Sequence, residues 1–143
     1  MSRSIVISTI LALLLLTACS PAQTPQATVG VIGKAVLVAG GNYTDISVNE
    51  LQTVQANKDF TLVNVHIPID GNISYTDLSI PYDQIAQNLD KLPDKNDVIV
   101  LYCRSGRMSS IAAETLVGLG YTHIFSLVGG MAAWEQAGQS IER

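Results

Sequence analysis

The sequence predicts an α/β fold in which helices cover both faces of an open, parallel sheet. Strand-like and helix-like segments alternate over residues 43–143, an order typical of strands joined by crossover helices. Residues 98–102 (VIVLY) form a continuous apolar run, as expected of a central parallel strand buried on both faces. Of the 143 residues, 48% are hydrophobic and 14% are charged, so we expect one domain with a substantial core.

The first predicted helix begins after Ser47 and runs to about residue 56. Ser47 and Glu50 form a capping-box pattern, in which the serine oxygen accepts the amide proton of Glu50 and the glutamate reaches back. Residues 61–65 (TLVNV) are β-branched and bounded by turn residues, so they predict a buried strand. Residues 81–89 predict a second helix, because four side chains share one helical face: Tyr82, Ile85, Ala86 and Leu89.

The alternation continues after the apolar strand. Residues 109–119 predict a helix that is stopped by a glycine, and residues 123–127 (HIFSL) predict another strand. A last short helix is expected over residues 131–137, after a Gly-Gly turn. We expect Met131 and Trp134 to pack this helix against the sheet.

The N-terminus has the pattern of an export signal with a lipid attachment site. Arg3 precedes an apolar run over residues 5–16, which is shorter than the roughly 20 residues that span a bilayer. Residues 16–19 (LTAC) resemble the lipobox of bacterial lipoproteins, in which the bond before the cysteine is cut and the cysteine is acylated. We therefore expect a signal peptide over residues 1–18 and a lipidated Cys19, giving a membrane-anchored protein on the periplasmic or cell-surface side. The alternative is an uncleaved anchor helix in which Cys19 has no role.

Residues 19–42 are expected to be the lipidated cysteine and a tether, followed by the domain over residues 43–143. Residues 20–28 (SPAQTPQAT) have no periodicity and predict a flexible linker. Residues 29–38 are more apolar than a tether requires. They are interpreted either as an extra edge strand or as a segment lying on the domain.

Charge and ligand spacing exclude several classes of partner. The net charge is −4 and the Lys and Arg residues form no stripe, so no nucleic-acid partner is expected. No cluster of His, Cys and carboxylate residues has the spacing of metal ligands. The sequence therefore predicts neither a metal nor another cofactor.

Residues 103–109 (CRSGRMS) carry the most chemical information. They connect the buried strand to a helix, and ligands of parallel α/β sheets bind where such loops lie, at the carboxyl ends of the strands. A loop that enters a helix N-terminus points unpaired amides inward, which binds anions and favours a thiolate over a thiol. We therefore predict Cys103 as a nucleophile in an anion-binding cradle that comprises Arg104, Ser105, Gly106, Arg107, Met108 and Ser109.

Two alternatives remain for residues of this loop. A cysteine at a strand end is often a buried structural residue, but the polar RSGR sequence after Cys103 favours a nucleophile. The side chain of Arg107 is expected to face the bound anion. For Arg104, anion binding and a solvated surface position are equally compatible with the sequence.

Three motifs, in this order, resemble those of the rhodanese-like sulfurtransferase family. Residues 62–66 (LVNVH) align with the family's first hallmark strand, and residues 102–107 (YCRSGR) resemble its active-site loop. Residues 118–134 are similar to its second hallmark, a strand followed by Gly-Gly and a helix that bears Trp. The resemblance covers about residues 45–143 and implies a five-stranded parallel sheet with the cysteine loop at its carboxyl edge. It also implies transfer of sulfane sulfur from a donor such as thiosulfate to a thiol or cyanide through a cysteine persulfide.

The sequence departs from the family pattern at three places. Residues 64–66 (NVH) stand where the family often has Asp-Val-Arg, and residues 71–80 differ from its Gly-His-Ile-Pro-Gly-Ala stretch. Met108 occupies a loop position that is often basic in members that use thiosulfate. These departures leave the nucleophile intact but argue against thiosulfate as the natural donor. Met108 in particular would suit a donor that is larger or less anionic.

Outside the loop, four titratable residues require an assignment. His66 follows the first hallmark strand and is a candidate for lining the pocket. His123 begins a strand and is expected at the surface. Asp70 and Asp77 are interpreted as solvated loop carboxylates.

Three functions are compatible with these residues. The leading one is a sulfurtransferase that uses a small sulfur donor, such as thiosulfate, a polysulfide or a persulfide, and a thiol acceptor. A phosphatase or arsenate reductase would need an arginine six residues after the cysteine, where this chain has Ser109. The third is a non-catalytic module at the membrane surface that binds anions or persulfides or serves a redox system.

Overall fold

The computed structural model describes residues 33–143, so the predicted signal peptide, Cys19 and the first part of the predicted tether are outside it. None of the helices between residues 33 and 143 is both long and apolar enough to cross a bilayer. Two 3-10 helices, Tyr82–Gln87 and Leu89–Lys91, precede the central strand. The other elements are β1 (Lys34–Val38), β2 (Gly41–Ile46), α1 (Val48–Gln55), β3 (Thr61–Asn64), β4 (Asn72–Ile73), β5 (Leu78–Ser79), β6 (Val98–Tyr102), α2 (Arg107–Gly118), β7 (His123–Leu127), α3 (Gly130–Gln136) and β8 (Ile141–Glu142).

The main sheet has six strands in the order β1-β2-β7-β6-β3-β5. Five of these strands, β2, β7, β6, β3 and β5, pair in parallel with their neighbours. This confirms the predicted open parallel sheet and the five strands that the family resemblance implies. Strand β1 adds a sixth, antiparallel member at the edge. Strands β4 and β8 form a separate two-stranded antiparallel sheet.

Residues 34–42, within the predicted tether, contain β1, a turn and the first two residues of β2. Strand β1 returns through a Gly-Gly turn into β2, and the partly buried Val36 and Val38 pack against the core. The edge-strand interpretation is therefore confirmed for the described part of residues 29–38. The sheet therefore begins at Lys34, before the predicted domain start at residue 43.

Helices cover both faces of the sheet, as the sequence predicts. One core cluster contains the buried side of α2 together with Ile85, and the other contains the buried sides of α1 and α3. Consecutive residues of β3 point to opposite clusters: Leu62 packs with α1 and α3, and Val63 packs with α2. Strand β6 is equally buried on both faces, which explains its continuous apolar sequence.

The predicted α-helix over residues 81–89 is wrong, because this segment forms 3-10 turns. The amide of Gln84 bonds to Pro81 and that of Asn88 bonds to Ile85, both with the three-residue spacing of a 3-10 helix. A three-residue repeat keeps Ile85 buried but moves Ala86 out of the shared face, so Ala86 is exposed.

Other elements agree with the sequence to within one or two residues. The capping box of α1 is present: the amide of Ser47 donates to Glu50 Oε2 at 2.7 Å, and the amide of Glu50 donates to Ser47 Oγ at 3.3 Å. The hydrogen bond from the Ser47 backbone lowers the pKa of Glu50. Strands β6 and β7 have the predicted bounds, whereas α2 begins at Arg107, two residues before its predicted start.

Candidate active site

Cys103 lies directly after β6, the strand that is paired with β3 on one side and with β7 on the other. The carboxyl ends of these three parallel strands meet at one edge of the sheet, where ligands of such folds bind. The cysteine side chain is only 1% exposed. It therefore lies at the bottom of the loop, and a substrate has to reach into the loop to contact the sulfur.

The loop backbone lies within hydrogen-bond distance of the sulfur. The amide of Gly106 donates a hydrogen bond to Cys103 Sγ over 3.1 Å. Gly106 has φ of +99°, a left-handed conformation that turns the chain into α2 at the next residue. The first amides of α2 have no acceptor within the helix, and the helix dipole adds partial positive charge there. This arrangement stabilises negative charge on the sulfur or on an atom bonded to it.

Serine hydroxyl groups hold the loop from inside. The carbonyl oxygen of Gly106 accepts hydrogen bonds from Ser109 Oγ at 2.9 Å and from Ser110 Oγ at 3.0 Å. Ser109 is fully buried and also accepts a hydrogen bond from Ser126 Oγ. The hydroxyl of Ser109, a residue of the predicted cradle, therefore donates to the loop backbone.

The Gly129-Gly130 turn supports the loop from the other side. The amides of Met131 and Ala132 donate to the carbonyl oxygens of Cys103 and Arg104, each at 2.9 Å. A Cβ on Gly130 would lie 2.1 Å from the Cys103 carbonyl oxygen, so only glycine allows this approach. Sequence reasoning treated Gly130 as part of a turn and missed its contact with the cysteine loop.

The remaining predicted cradle residues lie at different depths. Ser105 and Arg107 are exposed, and Arg107 forms no ion pair with the described residues. Met108 is partly buried and packs against the core, so it fills space beneath the loop as well as reaching the surface. The Arg104 guanidinium forms an ion pair with Asp70.

Asp70 and Asp77 were expected to be solvated loop carboxylates, but both form ion pairs. Asp70 pairs with Arg104, because the segment after β3 passes beside the cysteine loop. Asp77 accepts the backbone amide of Leu62 at 2.7 Å and is paired with Lys58. Both carboxylates therefore connect separate parts of the chain.

The two histidines have different environments. His66 is half-buried, and its Nδ1 is enclosed without a hydrogen-bond partner among the described residues. Its backbone amide donates to Oδ1 of the buried Asn64 at 2.9 Å. His123 is exposed, with its ring nitrogen 2.9 Å from the Asn96 carbonyl oxygen, which confirms the predicted surface position.

These groups form a nucleophile site for anionic chemistry. The Cys103 sulfur accepts a hydrogen bond from the amide of Gly106, and the exposed Arg107 is the first residue of the helix that follows. Between residues 33 and 143, no three His, Cys, Asp or Glu side chains are grouped so as to hold a metal ion. The geometry favours attack by sulfur on a substrate whose product carries negative charge.

Comparison with known proteins identifies sulfurtransferases among the relatives. A model of the rhodanese-like domain family matches residues 61–137. The chain is 31% identical over 90 residues to the adenylyltransferase and sulfurtransferase UBA4 of Candida albicans, covering 57% of this chain and 20% of that protein. It is 40% identical over 48 residues to the thiosulfate sulfurtransferase PspE of Escherichia coli, covering 33% of this chain and 46% of that protein. A sulfurtransferase of Allochromatium vinosum is 32% identical over 93 residues, covering 63% of this chain and 85% of that one.

The solved structures agree with these relatives. A rhodanese-like domain protein from Staphylococcus aureus is 29% identical, with a TM-score of 0.59, and the match covers 69% of this chain and 98% of that one. The chain spans less than half of the length of two of its relatives, UBA4 and PspE, so only the shared domain is compared there. The matched residues 61–137 are more than half of the chain and include the cysteine loop. The chain therefore belongs to the rhodanese-like domain family.

Proposed function

We propose that this protein is a sulfurtransferase that carries sulfane sulfur as a persulfide on Cys103. The observation that carries the proposal is the 3.1 Å hydrogen bond from the Gly106 amide to Cys103 Sγ at the start of α2. That geometry suits a sulfur atom that becomes negatively charged during each half of the reaction. The relatives named as sulfurtransferases support the same reaction class.

In the first half-reaction, the Cys103 thiolate attacks the outer sulfur of a donor such as thiosulfate. The sulfur–sulfur bond of the donor breaks, and its electron pair leaves with sulfite. Cys103 then holds a persulfide whose outer sulfur carries the negative charge. The amides at the start of α2 stabilise that charge, and the exposed Arg107 attracts the anionic donor.

In the second half-reaction, an acceptor thiolate attacks the outer sulfur of the persulfide. The sulfur–sulfur bond on Cys103 breaks, and its electron pair restores the Cys103 thiolate. The acceptor leaves as a persulfide, or as thiocyanate when cyanide is the acceptor.

The test uses the full-length chain and mass analysis of the peptide that contains Cys103, before and after incubation with thiosulfate or polysulfide. The expected result is the gain of one sulfur atom on that peptide, removed by a reductant and absent in Cys103→Ser. Arg107→Gln is expected to slow loading by about tenfold with thiosulfate, since one attractive charge is lost.

Two other outcomes would assign a different role. If Cys103 is alkylated readily but gains no sulfur from any donor, the protein is better described as an anion-binding or redox module. If Cys103 resists alkylation in the folded protein, it is a core cysteine and the sulfurtransferase proposal is wrong.

We further propose that the domain is anchored to a membrane by acylation of Cys19, on the periplasmic or cell-surface side. The proposal rests on the apolar run and the LTAC sequence before Ser20. Labelled palmitate is expected to be incorporated into the wild-type chain and not into Cys19→Ser. An unlabelled wild-type chain that retains residues 1–18 in the membrane fraction would instead support the anchor-helix alternative.

A further inference from the structure

The two arginines of the cysteine loop differ in their surroundings. Arg104 forms an ion pair with Asp70, whereas Arg107 has no acidic partner between residues 33 and 143. Arg104 remains 63% exposed, so a carboxylate rather than burial holds its guanidinium. The cysteine loop therefore carries one arginine that is paired with a carboxylate and one that is not.

The loop that carries Asp70 is held in place by a buried amide. Asn64 is 1% exposed, its Nδ2 donates to the Gly71 carbonyl oxygen at 2.9 Å, and its Oδ1 accepts the His66 amide at 2.9 Å. These two bonds join both ends of the loop between residues 66 and 71. Asp70 is therefore presented to Arg104 by a fixed segment, and its position does not depend on the weak attraction between exposed charges alone.

A second ion pair lies beside the first. Arg143 Nη2 is 2.8 Å from Glu135 Oε1. The hydrogen bond and charge of Glu135, and more weakly the charge of Asp70, raise the pKa of Arg143. The small cleft at this place is lined by two arginines and two carboxylates, so its charges balance. It supplies no free cation that could replace Arg104.

Resting on the proposed function, we propose that Asp70 is a specificity-determining residue that disfavours small, doubly charged donors. Its carboxylate keeps the Arg104 guanidinium engaged at the rim and adds a negative charge beside the entrance to the loop. The rate of reaction with Cys103 is lowered less for donors that carry little charge, or whose charge lies far from the transferred sulfur. Asp70 acts through Arg104 and through the field at the rim, and it does not contact the reacting sulfur.

The experiment compares alkylation of Cys103 by iodoacetate and by iodoacetamide in the full-length chain, measured on the Cys103 peptide. The two reagents share a leaving group and nearly the same size but differ by one negative charge. In Asp70→Asn, the ratio of the iodoacetate rate to the iodoacetamide rate is expected to rise by about threefold. The matched control is Asp59→Asn, which removes the same charge before β3, at the opposite edge of the sheet, and is expected to leave the ratio unchanged.

A double-mutant cycle separates release of Arg104 from simple loss of a negative charge. In an Arg104→Gln background, Asp70→Asn is expected to raise the ratio clearly less than in the wild-type background. An equal rise in both backgrounds, or no rise in Asp70→Asn, would overturn the proposal. Alkylation does not need sulfur transfer, so this result stands apart from the persulfide-loading test. Where loading does occur, Asp70→Asn should increase its rate with thiosulfate by about fivefold.

Discussion

Tyr102, the residue before the nucleophile, shows how a polar group is accommodated in the core beneath the site. Its ring is fully buried, and its hydroxyl group accepts the Ile73 amide at 3.1 Å and bonds to Thr76 Oγ1 at 2.7 Å. Each of these polar atoms thus has a partner, which avoids the cost of burying it unpaired. The network joins the end of β6 to the segment around β4.

Replacing Tyr102 by Phe is expected to lower the free energy of unfolding by about 1–3 kcal/mol, because the Ile73 amide is left buried and unpaired. Burial also raises the pKa of Tyr102. The folded state therefore holds this proton more tightly than the unfolded state, and stability should fall as the pH rises above about 10. In denaturant titrations at several pH values, the free energy of unfolding of Tyr102→Phe should fall less at high pH than that of the wild type. Tyr75→Phe, at an exposed tyrosine, should change neither the free energy of unfolding nor its pH dependence appreciably.

A second residue-scale prediction concerns Gly130. Its φ is +54°, and a Cβ added there would lie 2.1 Å from the Cys103 carbonyl oxygen, so conformation and space both oppose a side chain. Gly130→Ala is expected to destabilise the protein by at least about 2 kcal/mol and to reduce sulfur loading of Cys103. Gly138→Ala is the control, because Gly138 also has positive φ but nothing lies within 4 Å of its Cβ position. Equal losses of stability in chemical denaturation would show that the backbone conformation alone matters.

At the scale of single elements, α1 depends on its N-terminal cap. Ser47→Ala removes the acceptor for the Glu50 amide and is expected to cost about 1 kcal/mol. The free energy of unfolding from urea titrations measures this loss. Ser140→Ala, at an exposed serine near the C-terminus, is the control and should change stability by less than about 0.5 kcal/mol. A loss equally large at Ser140 would contradict the capping role.

The elements that sequence predicted well are those with strong local signals. Strand β6 is a continuous apolar run, β7 is rich in apolar and aromatic residues, and α1 has its capping box, so their type and position follow from local residues. The two-residue strands β4, β5 and β8 were missed because their pairing depends on partners distant in sequence. The segment Tyr82–Gln87 was predicted as an α-helix because Tyr82 and Ile85 are three residues apart. That spacing places two side chains on one face of an α-helix and of a 3-10 helix alike.

At the scale of the whole molecule, the sheet is a partition between two cores. Leu62 and Val63 are both fully buried and belong to different clusters. Leu62→Ala and Val63→Ala are each expected to cost about 2–4 kcal/mol, because both sides of the sheet lose packed volume. Leu37→Ala, at a side chain that is 86% exposed, should cost less than about 0.5 kcal/mol. Thermal or urea unfolding of the three variants tests whether both cores contribute comparably.

The candidate site was predictable only in part. The nucleophile and its loop follow from the CRSGR sequence between a buried strand and a helix, which is a local pattern. The contacts of Asp70, Asn64 and Gly130 with that loop and its neighbours join segments far apart in the chain, and no local pattern contains them.

The two amides that α3 donates to the cysteine loop have a consequence for the order in which the protein is built. Met131 and Ala132 bond to the carbonyl oxygens of Cys103 and Arg104, so residues that follow the cysteine by almost thirty positions complete its loop. A growing or truncated chain that ends before Gly129 contains the thiol but lacks the groups that fix its surroundings. The surroundings of the reactive sulfur are thus complete only after residues 129–132 have been synthesised and have folded onto the loop.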